Sequence, residues 1–328
     1  MNGATLLSIR NLSVEFTAKG GRVRAVDGVS LDIRKGETLG LVGESGCGKT
    51  TLGRAILRLN TPSAGAIQYF TPDGPRDLAQ LHGETLLPLR RHIQMVFQDP
   101  YSSLNPRMTV GAIIREPLLS FRIARGHDAE GRVSRLMEQV GLDPSYRRRY
   151  PRELSGGQRQ RVGIARALAA SPELIVADEP IAALDVSIQA QILNLLEGLR
   201  AEFGLAYLFI SHDLRAVRYL ADRVAVMYLG HIVETAPAAK IGSRPLMPYT
   251  KALMSAVRSI DKVARPMVLS GEIPSPVNPP SGCRFHTRCP WAVAECSHSK
   301  PELVEIEPGH FAACNRISPE RPEIESMA

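Results

Sequence analysis

The segment Gly43-Glu-Ser-Gly-Cys-Gly-Lys-Thr50 constrains this chain more than any other part of its sequence. It fits the pattern G-x-x-x-x-G-K-[ST], and it follows the short apolar run Thr38-Leu-Gly-Leu-Val42 and opens a stretch with helical spacing. In this context glycines let successive backbone N–H groups point at phosphate oxygens, and the helix N-terminus adds its positive end. A chance glycine-rich turn is the alternative, but the strand–helix context favours a phosphate-binding loop.

Four side chains extend this prediction to nucleotide hydrolysis. Lys49 supplies a cation for the β- and γ-phosphates, and the Thr50 hydroxyl coordinates Mg²⁺. At the end of the apolar run Leu174-Ile-Val-Ala-Asp-Glu179, Asp178 is placed to hold Mg²⁺ through water and Glu179 to act as general base. A solvated Asp-Glu pair at a strand end is the alternative, and the phosphate-binding loop earlier in the chain favours the catalytic interpretation.

The pattern of apolar residues predicts an α/β core. Predicted strands are Leu6–Phe16, Val23–Ile33, Thr38–Val42, Ile93–Phe97, Leu174–Ala177 and Ala206–Ile210, and the uninterrupted short runs suit a parallel sheet covered on both faces. Val110–Leu119 and Gly131–Val140 have helical spacing, which indicates a helical insertion. After about Lys240 the chain is rich in Pro and Gly, so we expect little regular sheet there and a separate C-terminal appendage.

Four more motifs follow in a particular order: Val96-Phe-Gln98, Leu154-Ser-Gly-Gly-Gln158, Ala183-Leu-Asp185 and Ile210-Ser-His-Asp213. They resemble the glutamine loop, signature sequence, D-loop and switch-histidine segment of ATP-binding cassette (ABC) proteins. The resemblance implies a P-loop NTPase (RecA-like) core with an antiparallel β subdomain, a helical insertion and an irregular Cys/Pro-rich C-terminal extension. It places the core at 1–98 and 155–240, the helical subdomain at 99–154 and the extension at 241–328.

The resemblance also implies roles for individual residues. Gln98 senses Mg²⁺ and the attacking water, His212 contacts the γ-phosphate, and the signature segment binds nucleotide held by a second cassette. Phe16 either stacks on adenine or belongs to the core. The family commonly has Ser at the position of Ala182, and we expect a competent site despite this departure. The predicted nucleotide-contacting residues are Phe16, Gly43, Glu44, Ser45, Gly46, Cys47, Gly48, Lys49, Thr50, Thr51, Gln98, Ser155, Gly156, Gly157, Gln158, Asp178 and Asp185.

Further motifs resemble the peptide-importer branch of the family. They include Gln98-Asp-Pro-Tyr-Ser-Ser-Leu-Asn-Pro-Arg107 and Met247-Pro-Tyr-Thr250, the second with Met where the branch has His. The resemblance implies import of dipeptides, oligopeptides or, in relatives, nickel. It also implies a second ATPase subunit, two membrane permease subunits and an extracytoplasmic binding protein as partners.

Four of the five cysteines, Cys283, Cys289, Cys296 and Cys314, lie in the C-terminal region. Their spacing lacks the close pairs of structural zinc sites and the run found in ferredoxins, and disulfides are not expected in a reducing cytoplasm. Four thiolates suit an Fe–S cluster or zinc, and metal-free packing remains open. Resembling peptide-importer subunits carry this cysteine set with a [4Fe–4S] cluster, which the resemblance implies here. Cys47 is expected to fill a small position in the phosphate-binding loop.

Composition limits the remaining functions. The net charge of +7 favours an anionic partner, although a generally basic surface explains it equally well. No apolar run approaches the roughly 20 residues of a membrane helix, so we expect a protein that stays in the cytoplasm. The resemblance to the peptide-importer branch implies a peripheral position at the cytoplasmic face of the membrane. A cassette ATPase acting on nucleic acid is the alternative function. A single cassette without zinc-finger spacing makes nucleic acid the less favoured partner, and the retained Lys49, Asp178, Glu179 and His212 disfavour a non-hydrolysing cassette.

Overall fold

A computed structural model describes residues 3–18, 21–260, 267, 269 and 271–324, with the backbone alone for 256–260. The strands are β1 Thr5–Ala18, β2 Gly21–Arg34, β3 Thr38–Val42, β4 Ala64–Thr71, β5 Gly74–Asp77, β6 Ile93–Val96, β7 Leu174–Asp178, β8 Ala206–Ile210, β9 Arg223–Tyr228, β10 His231–Pro237, β11 Val304–Glu307 and β12 His310–Ala312. The helices are α1 Lys49–Ile56, α2 Gly83–Arg90, α3 Val110–Ser120, α4 Gly126–Gln139, α5 Gly156–Ala169, α6 Val186–Phe203, α7 Leu214–Leu220, α8 Ala238–Ser243 and α9 Pro248–Ile260. All six predicted strands are present, so the α/β fold is confirmed.

The chain divides into two compact units. The first unit comprises residues 1–5, 33–37 and 80–210, and the second comprises residues 6–32, 38–79 and 211–328. In the first unit β6, β7 and β8 pair in parallel, with Ile93 opposite Leu174 and Ile175 opposite Tyr207. Every residue of β7 and β8 is buried, which explains why their sequences are continuously apolar rather than alternating.

The helical part of the first unit confirms the predicted insertion. Helix α3 packs against α4 and α5. The hydroxyl of Thr109 caps α3 by accepting a hydrogen bond from the N–H of Ala112 at 3.3 Å. Helix α4 begins at Gly126, five residues before the predicted start, and its buried face is formed by Ala129, Val133 and Met137.

The second unit contains two groups of paired strands. One is a sheet in the order β2-β1-β4-β5, in which β4 pairs antiparallel with β1 and with β5. In the other group β3 pairs in parallel with β9, and β9, β10, β12 and β11 follow one another in antiparallel pairs. Strand β3 is buried at all five positions and leads directly into the phosphate-binding loop.

The C-terminal region, predicted to contain little regular sheet, contains two short strands. Strands β11 and β12 form a hairpin, and β12 joins β10 with Glu234 opposite Ala312. The two strands are only four and three residues long, and a small apolar cluster of Leu246, Ile306, Ala312 and Ile317 stabilises them. By its packing the extension is grouped with the second unit. Its residues 261–266, 268, 270 and 325–328 lie outside the described part of the chain.

Candidate nucleotide-binding site and cysteine segment

Three glycines shape the phosphate-binding loop between β3 and α1. Gly43, Gly46 and Gly48 have φ values of 154°, 78° and 109°, which disfavour residues with a Cβ. A Cβ at Gly43 would lie 2.2 Å from the carbonyl oxygen of Met227, and one at Gly48 would lie 2.1 Å from that of Ala25. The loop conformation thus requires glycine at both positions, as the motif predicts.

Lys49 lies at the start of α1 and is nearly enclosed by the loop. Its side chain is 5% exposed, and Nζ donates to the carbonyl oxygens of Gly43 at 2.8 Å and Glu44 at 3.0 Å. The helix begins after Gly48 without a side-chain cap among the described residues, so its positive end faces the loop. The arrangement presents an ammonium group and a helix N-terminus at one place, which suits binding of phosphate.

Cys47 is a buried part of the same loop. Its Sγ lies 3.8 Å from Nζ of Lys49, and burial raises the pKa of the thiol above its ordinary value. A thiol of this kind is protonated at neutral pH and inert, which agrees with the expected packing role.

Gln98 and Glu179 are brought together in the first unit. Nε2 of Gln98 donates to Oε2 of Glu179 at 3.1 Å, across 81 residues of sequence. Glu179 has a φ of 45°, an unusual conformation for a residue with a side chain, and its N–H donates to the carbonyl oxygen of Ile210 at 2.9 Å. Asp178 ends β7 and is 1% exposed. The main chain of Glu179 is therefore fixed by Ile210, and its carboxylate accepts a hydrogen bond from the amide of Gln98.

The signature segment forms the N-terminus of α5. The hydroxyl of Ser155 accepts from the N–H of Gln158 at 3.3 Å, and Oε1 of Gln158 accepts from the N–H of Ser155 at 2.9 Å, which is a capping box. A Cβ at Gly157 would lie 2.6 Å from Cγ2 of Ile188 in α6, and Gly156 faces Leu184. Glycine at 157 thus permits the close approach of α5 and α6.

Asp185 caps the N-terminus of α6. Its Oδ1 accepts from the hydroxyl of Ser187 at 2.7 Å and from the N–H of Ile188 at 3.0 Å. These two hydrogen bonds, that of Ser187 first, lower the pKa of the Asp185 carboxyl below its ordinary value. Asp185 is thus an ionised helix cap, and its predicted contact with nucleotide stays a prediction.

The second unit contains two more predicted site residues. His212 is exposed and lies between Ser211, whose N–H donates to the carbonyl oxygen of Leu41 at 3.2 Å, and Asp213, which caps α7. Phe16 is 42% exposed near the end of β1, so the alternative that it belongs to the core was wrong. Its ring is accessible for stacking on a base.

The predicted residues are thus divided between the two units. The second unit contains Phe16, Gly43, Glu44, Ser45, Gly46, Cys47, Gly48, Lys49, Thr50, Thr51 and His212, and the first contains Gln98, Ser155, Gly156, Gly157, Gln158, Asp178, Glu179 and Asp185. Sequence analysis missed two residues that contact the phosphate-binding loop, Tyr249 and Arg288. Tyr249 belongs to the motif Met247-Pro-Tyr-Thr250 and Arg288 directly precedes Cys289, but neither pattern indicates a contact with Glu44.

The four C-terminal cysteines interact with one another. All four are free thiols, and the N–H of Cys283 donates to the carbonyl oxygen of Cys296 at 2.8 Å. Burial and then the negative charges of the other thiolates raise the pKa of Cys289 and of Cys314 to about 11 each. In the part of the chain that the structure describes, no group of three or more His, Cys, Asp or Glu residues is arranged to hold a metal ion.

Comparisons with known proteins agree with this architecture. The ABC transporter family model matches residues 26–182, and the model for the C-terminal region of oligopeptide/dipeptide transporters matches residues 233–296. The chain is 51% identical over 329 residues to the oligopeptide transport ATP-binding protein AppF of Bacillus subtilis, covering 97% of this chain and 99% of that protein. It is 48% identical over 329 residues to the oligopeptide transport ATP-binding protein OppF of Salmonella typhimurium, covering 96% and 97%.

A solved structure supports the same assignment. The dimeric post-hydrolysis state of the ATP-binding cassette MJ0796, bound to ADP and Pi, matches with a TM-score of 0.64 at 28% identity. The match covers 71% of this chain and 99% of that one. Among the described residues no helix has the length and apolarity needed to cross a membrane. This chain belongs to the family of ABC transporter ATP-binding proteins, in the branch that carries the oligopeptide/dipeptide transporter C-terminal region.

Proposed function

We propose that this chain is the ATP-hydrolysing subunit of an importer that carries dipeptides and oligopeptides across the cytoplasmic membrane. The observation that carries the proposal is the presence, in one chain, of an ABC cassette and the C-terminal region of oligopeptide/dipeptide transporters. The same observation disfavours an ATPase acting on nucleic acid. The named relatives AppF and OppF, similar along nearly their whole length, support the same substrate class.

In the proposed mechanism, Glu179 accepts a proton from the water that attacks the γ-phosphate. The bond from the water oxygen to phosphorus forms as the bond to the β-phosphate oxygen breaks, giving ADP and phosphate. Gln98, hydrogen-bonded to Glu179, orients this carboxylate and the water. Thr50, Gln98 and Asp178 are the residues that would hold Mg²⁺, which would supply neutralisation of the charge on the phosphates.

Other residues bind and orient the nucleotide. Lys49 and the backbone N–H groups of the loop bind the β- and γ-phosphates, His212 contacts the γ-phosphate, and Phe16 stacks on adenine. The N-terminus of α5 at Ser155 binds the γ-phosphate of nucleotide held by a second cassette. ATP binds the closed pair of cassettes more tightly than the open pair, and this difference in affinity drives two permease subunits between their states. An extracytoplasmic binding protein delivers the peptide.

Purified complexes test this proposal. The tagged chain is isolated from membranes with its bound permease subunits, reconstituted in lipid vesicles, and assayed for ATP hydrolysis with dipeptides, oligopeptides or DNA. We expect peptide with its binding protein to stimulate hydrolysis several-fold, and Lys49→Ala to abolish it. Loss of all permease on purification, together with salt-sensitive stimulation by DNA, would establish the nucleic-acid alternative instead.

For the cysteine segment the proposed cofactor is a [4Fe–4S] cluster on Cys283, Cys289, Cys296 and Cys314. The donor set supports it, because four thiols lie in one short segment, and burial together with the negative charges of neighbouring thiolates raises the pKa of Cys289 and of Cys314 to about 11. A cationic cluster core would relieve this repulsion between thiolates. A four-iron cluster also holds its thiolates farther apart than a single zinc ion does, which is compatible with the lack of a compact ligand group among the described residues.

Metal analysis of anaerobically purified protein separates the alternatives. About four irons and four sulfides per chain, lost in Cys289→Ser, are expected for the cluster. One zinc per chain would replace the cluster by a structural zinc site, and no metal would leave four packed thiols.

A further inference from the structure

Glu44, the second residue of the phosphate-binding loop, is held by two residues of the C-terminal extension. Nη1 and Nη2 of Arg288 donate to the two carboxylate oxygens of Glu44 at 2.7 and 3.0 Å. The N–H of Glu44 donates to the hydroxyl of Tyr249 at 2.8 Å. Both the backbone and the side chain of this loop residue are thus fixed by residues more than 200 positions away in sequence.

The extension holds these two residues rigidly. Arg288 is 7% exposed, and Tyr249 is fully buried. The rings of Tyr249, Tyr228 and Phe285 form an aromatic cluster with centroid distances of 4.7, 5.3 and 5.4 Å, and Nη1 of Arg288 donates to the hydroxyl of Tyr228 at 3.4 Å. Because the cluster is tightly packed, the guanidinium and the phenol have little freedom to follow a moving loop.

The contact bears directly on phosphate binding. The carbonyl oxygens of Gly43 and Glu44 are the acceptors for Nζ of Lys49, so the backbone that Tyr249 fixes also positions this ammonium group. A carboxylate at Glu44 repels phosphate oxygens unless its charge is neutralised. The bidentate ion pair with Arg288 supplies this neutralisation in a geometry that lysine could reproduce only in part.

We propose that Arg288 and Tyr249 are positioning residues for the ATP site, so that ATP affinity of the cassette depends on its C-terminal extension. This inference rests on the proposed role of the loop in binding ATP. Arg288 acts by neutralising and orienting Glu44, and Tyr249 acts by fixing the Glu44 backbone. Neither residue touches the reacting atoms, so the effect is on binding more than on the hydrolytic step.

The test uses the full-length chain and measures equilibrium ATP binding, with KM and kcat for hydrolysis. We expect Arg288→Ala to raise the Kd and KM for ATP about tenfold, within the usual range of coupling between sites, with kcat changed less than twofold. Arg288→Lys is expected to recover part of the affinity, and Tyr249→Phe to weaken binding a few-fold. The matched control is Arg284→Ala, which removes a partly buried arginine of the same segment. Arg284 pairs with Asp27 and makes no hydrogen bond to the loop among the described residues.

A double variant separates positioning from loss of stability. In Glu44→Gln/Arg288→Ala no carboxylate remains to repel phosphate, and we expect the Kd to return to within about threefold of that of Glu44→Gln alone. Thermal unfolding identifies any variant that fails to fold, in which case Arg288→Lys and Tyr249→Phe carry the test.

Two results would overturn the inference: an unchanged Kd in folded Arg288→Ala, or equal weakening by Arg284→Ala with no rescue in the double variant. Failure of the proposed role of the loop in ATP binding is distinguishable, because the wild-type chain would then bind no ATP and Lys49→Ala would change nothing.

Discussion

Replacing His310 by alanine is expected to destabilise the second unit by about 3 kcal/mol. Nε2 of His310 lies 2.7 Å from Oε1 of Glu234, and the two side chains are 1% and 0% exposed. The Glu234 carboxylate also accepts from the N–H groups of Leu246 at 2.8 Å and Met247 at 2.9 Å. Removing the side-chain partner of a buried acceptor costs about 1–3 kcal/mol, and more when the acceptor is charged, so about 3 kcal/mol is expected for a carboxylate that keeps two backbone hydrogen bonds.

Urea and thermal unfolding measure this loss. The chain has one tryptophan, and Trp291 lies in the extension, so its fluorescence reports the unit in which the change is made. A loss of about 3 kcal/mol corresponds to a decrease in Tm of roughly 6–12 °C for a unit of this size. Hydrogen exchange in β10 and β12 should accelerate, because these strands pair at Glu234 and Ala312.

The matched control is His310→Gln, which keeps an amide donor in the same place and is expected to cost about 1 kcal/mol. The reasoning would be refuted if His310→Ala lowered the free energy of unfolding by less than about 1 kcal/mol and left the protection of β10 from hydrogen exchange unchanged. Such a result would mean that Glu234 is solvated, or that its backbone hydrogen bonds hold β12 in place without the histidine.

Three further changes test other parts of the molecule. Glu179→Gln should lower kcat for ATP hydrolysis by about 10²–10⁴ while ATP binding persists, because the general base is lost; phosphate release at the wild-type rate would exclude this role. Gly157→Ala should cost about 1–3 kcal/mol in urea unfolding, because its Cβ would lie 2.6 Å from Ile188; Gly163→Ala, where the structure shows no close neighbour, is the control. Burial and then the positive charge of Arg284 lower the pKa of His231 to about 3. Unfolding restores a pKa near 6.5, so the stability contribution is full above that pH and declines as the pH falls towards 3, by about 1.4 kcal/mol at pH 5.5. In His231→Gln the free energy of unfolding should decline less steeply with falling pH.

Local patterns were sufficient to predict the elements that carry the nucleotide site. The phosphate-binding loop is a contiguous motif whose glycines have a backbone requirement, and the structure places them at positive φ between β3 and α1. Ser155 is a serine ahead of a helical pattern, with glutamine three residues later, which is the local signal of a capping box. Burial of β7 and β8 likewise follows from their unbroken apolar sequences.

Long-range contacts and short strands could not be predicted in this way. The hydrogen bond between Gln98 and Glu179 joins residues 81 positions apart, and no periodicity specifies it. Strands β11 and β12 together contain only seven residues, and they lie in a region rich in proline and glycine, so their intrinsic propensity to form strands is weak. They form because tertiary interactions, including the pair of His310 with Glu234, stabilise them.

The position of Glu44 explains why the extension affects the phosphate-binding loop. Glu44 is one of the variable positions of the motif, so phosphate binding does not dictate its side chain. A carboxylate there is unfavourable for an anionic ligand unless a cation accompanies it, and that cation is Arg288, next to the cysteine segment. A cassette ending at residue 240 would contain Glu44 without Arg288 or Tyr249, and its loop would carry an uncompensated charge at the phosphates. The acidic loop residue and the C-terminal extension are therefore physically dependent on one another, and a change in either one should be interpreted through its effect on the other.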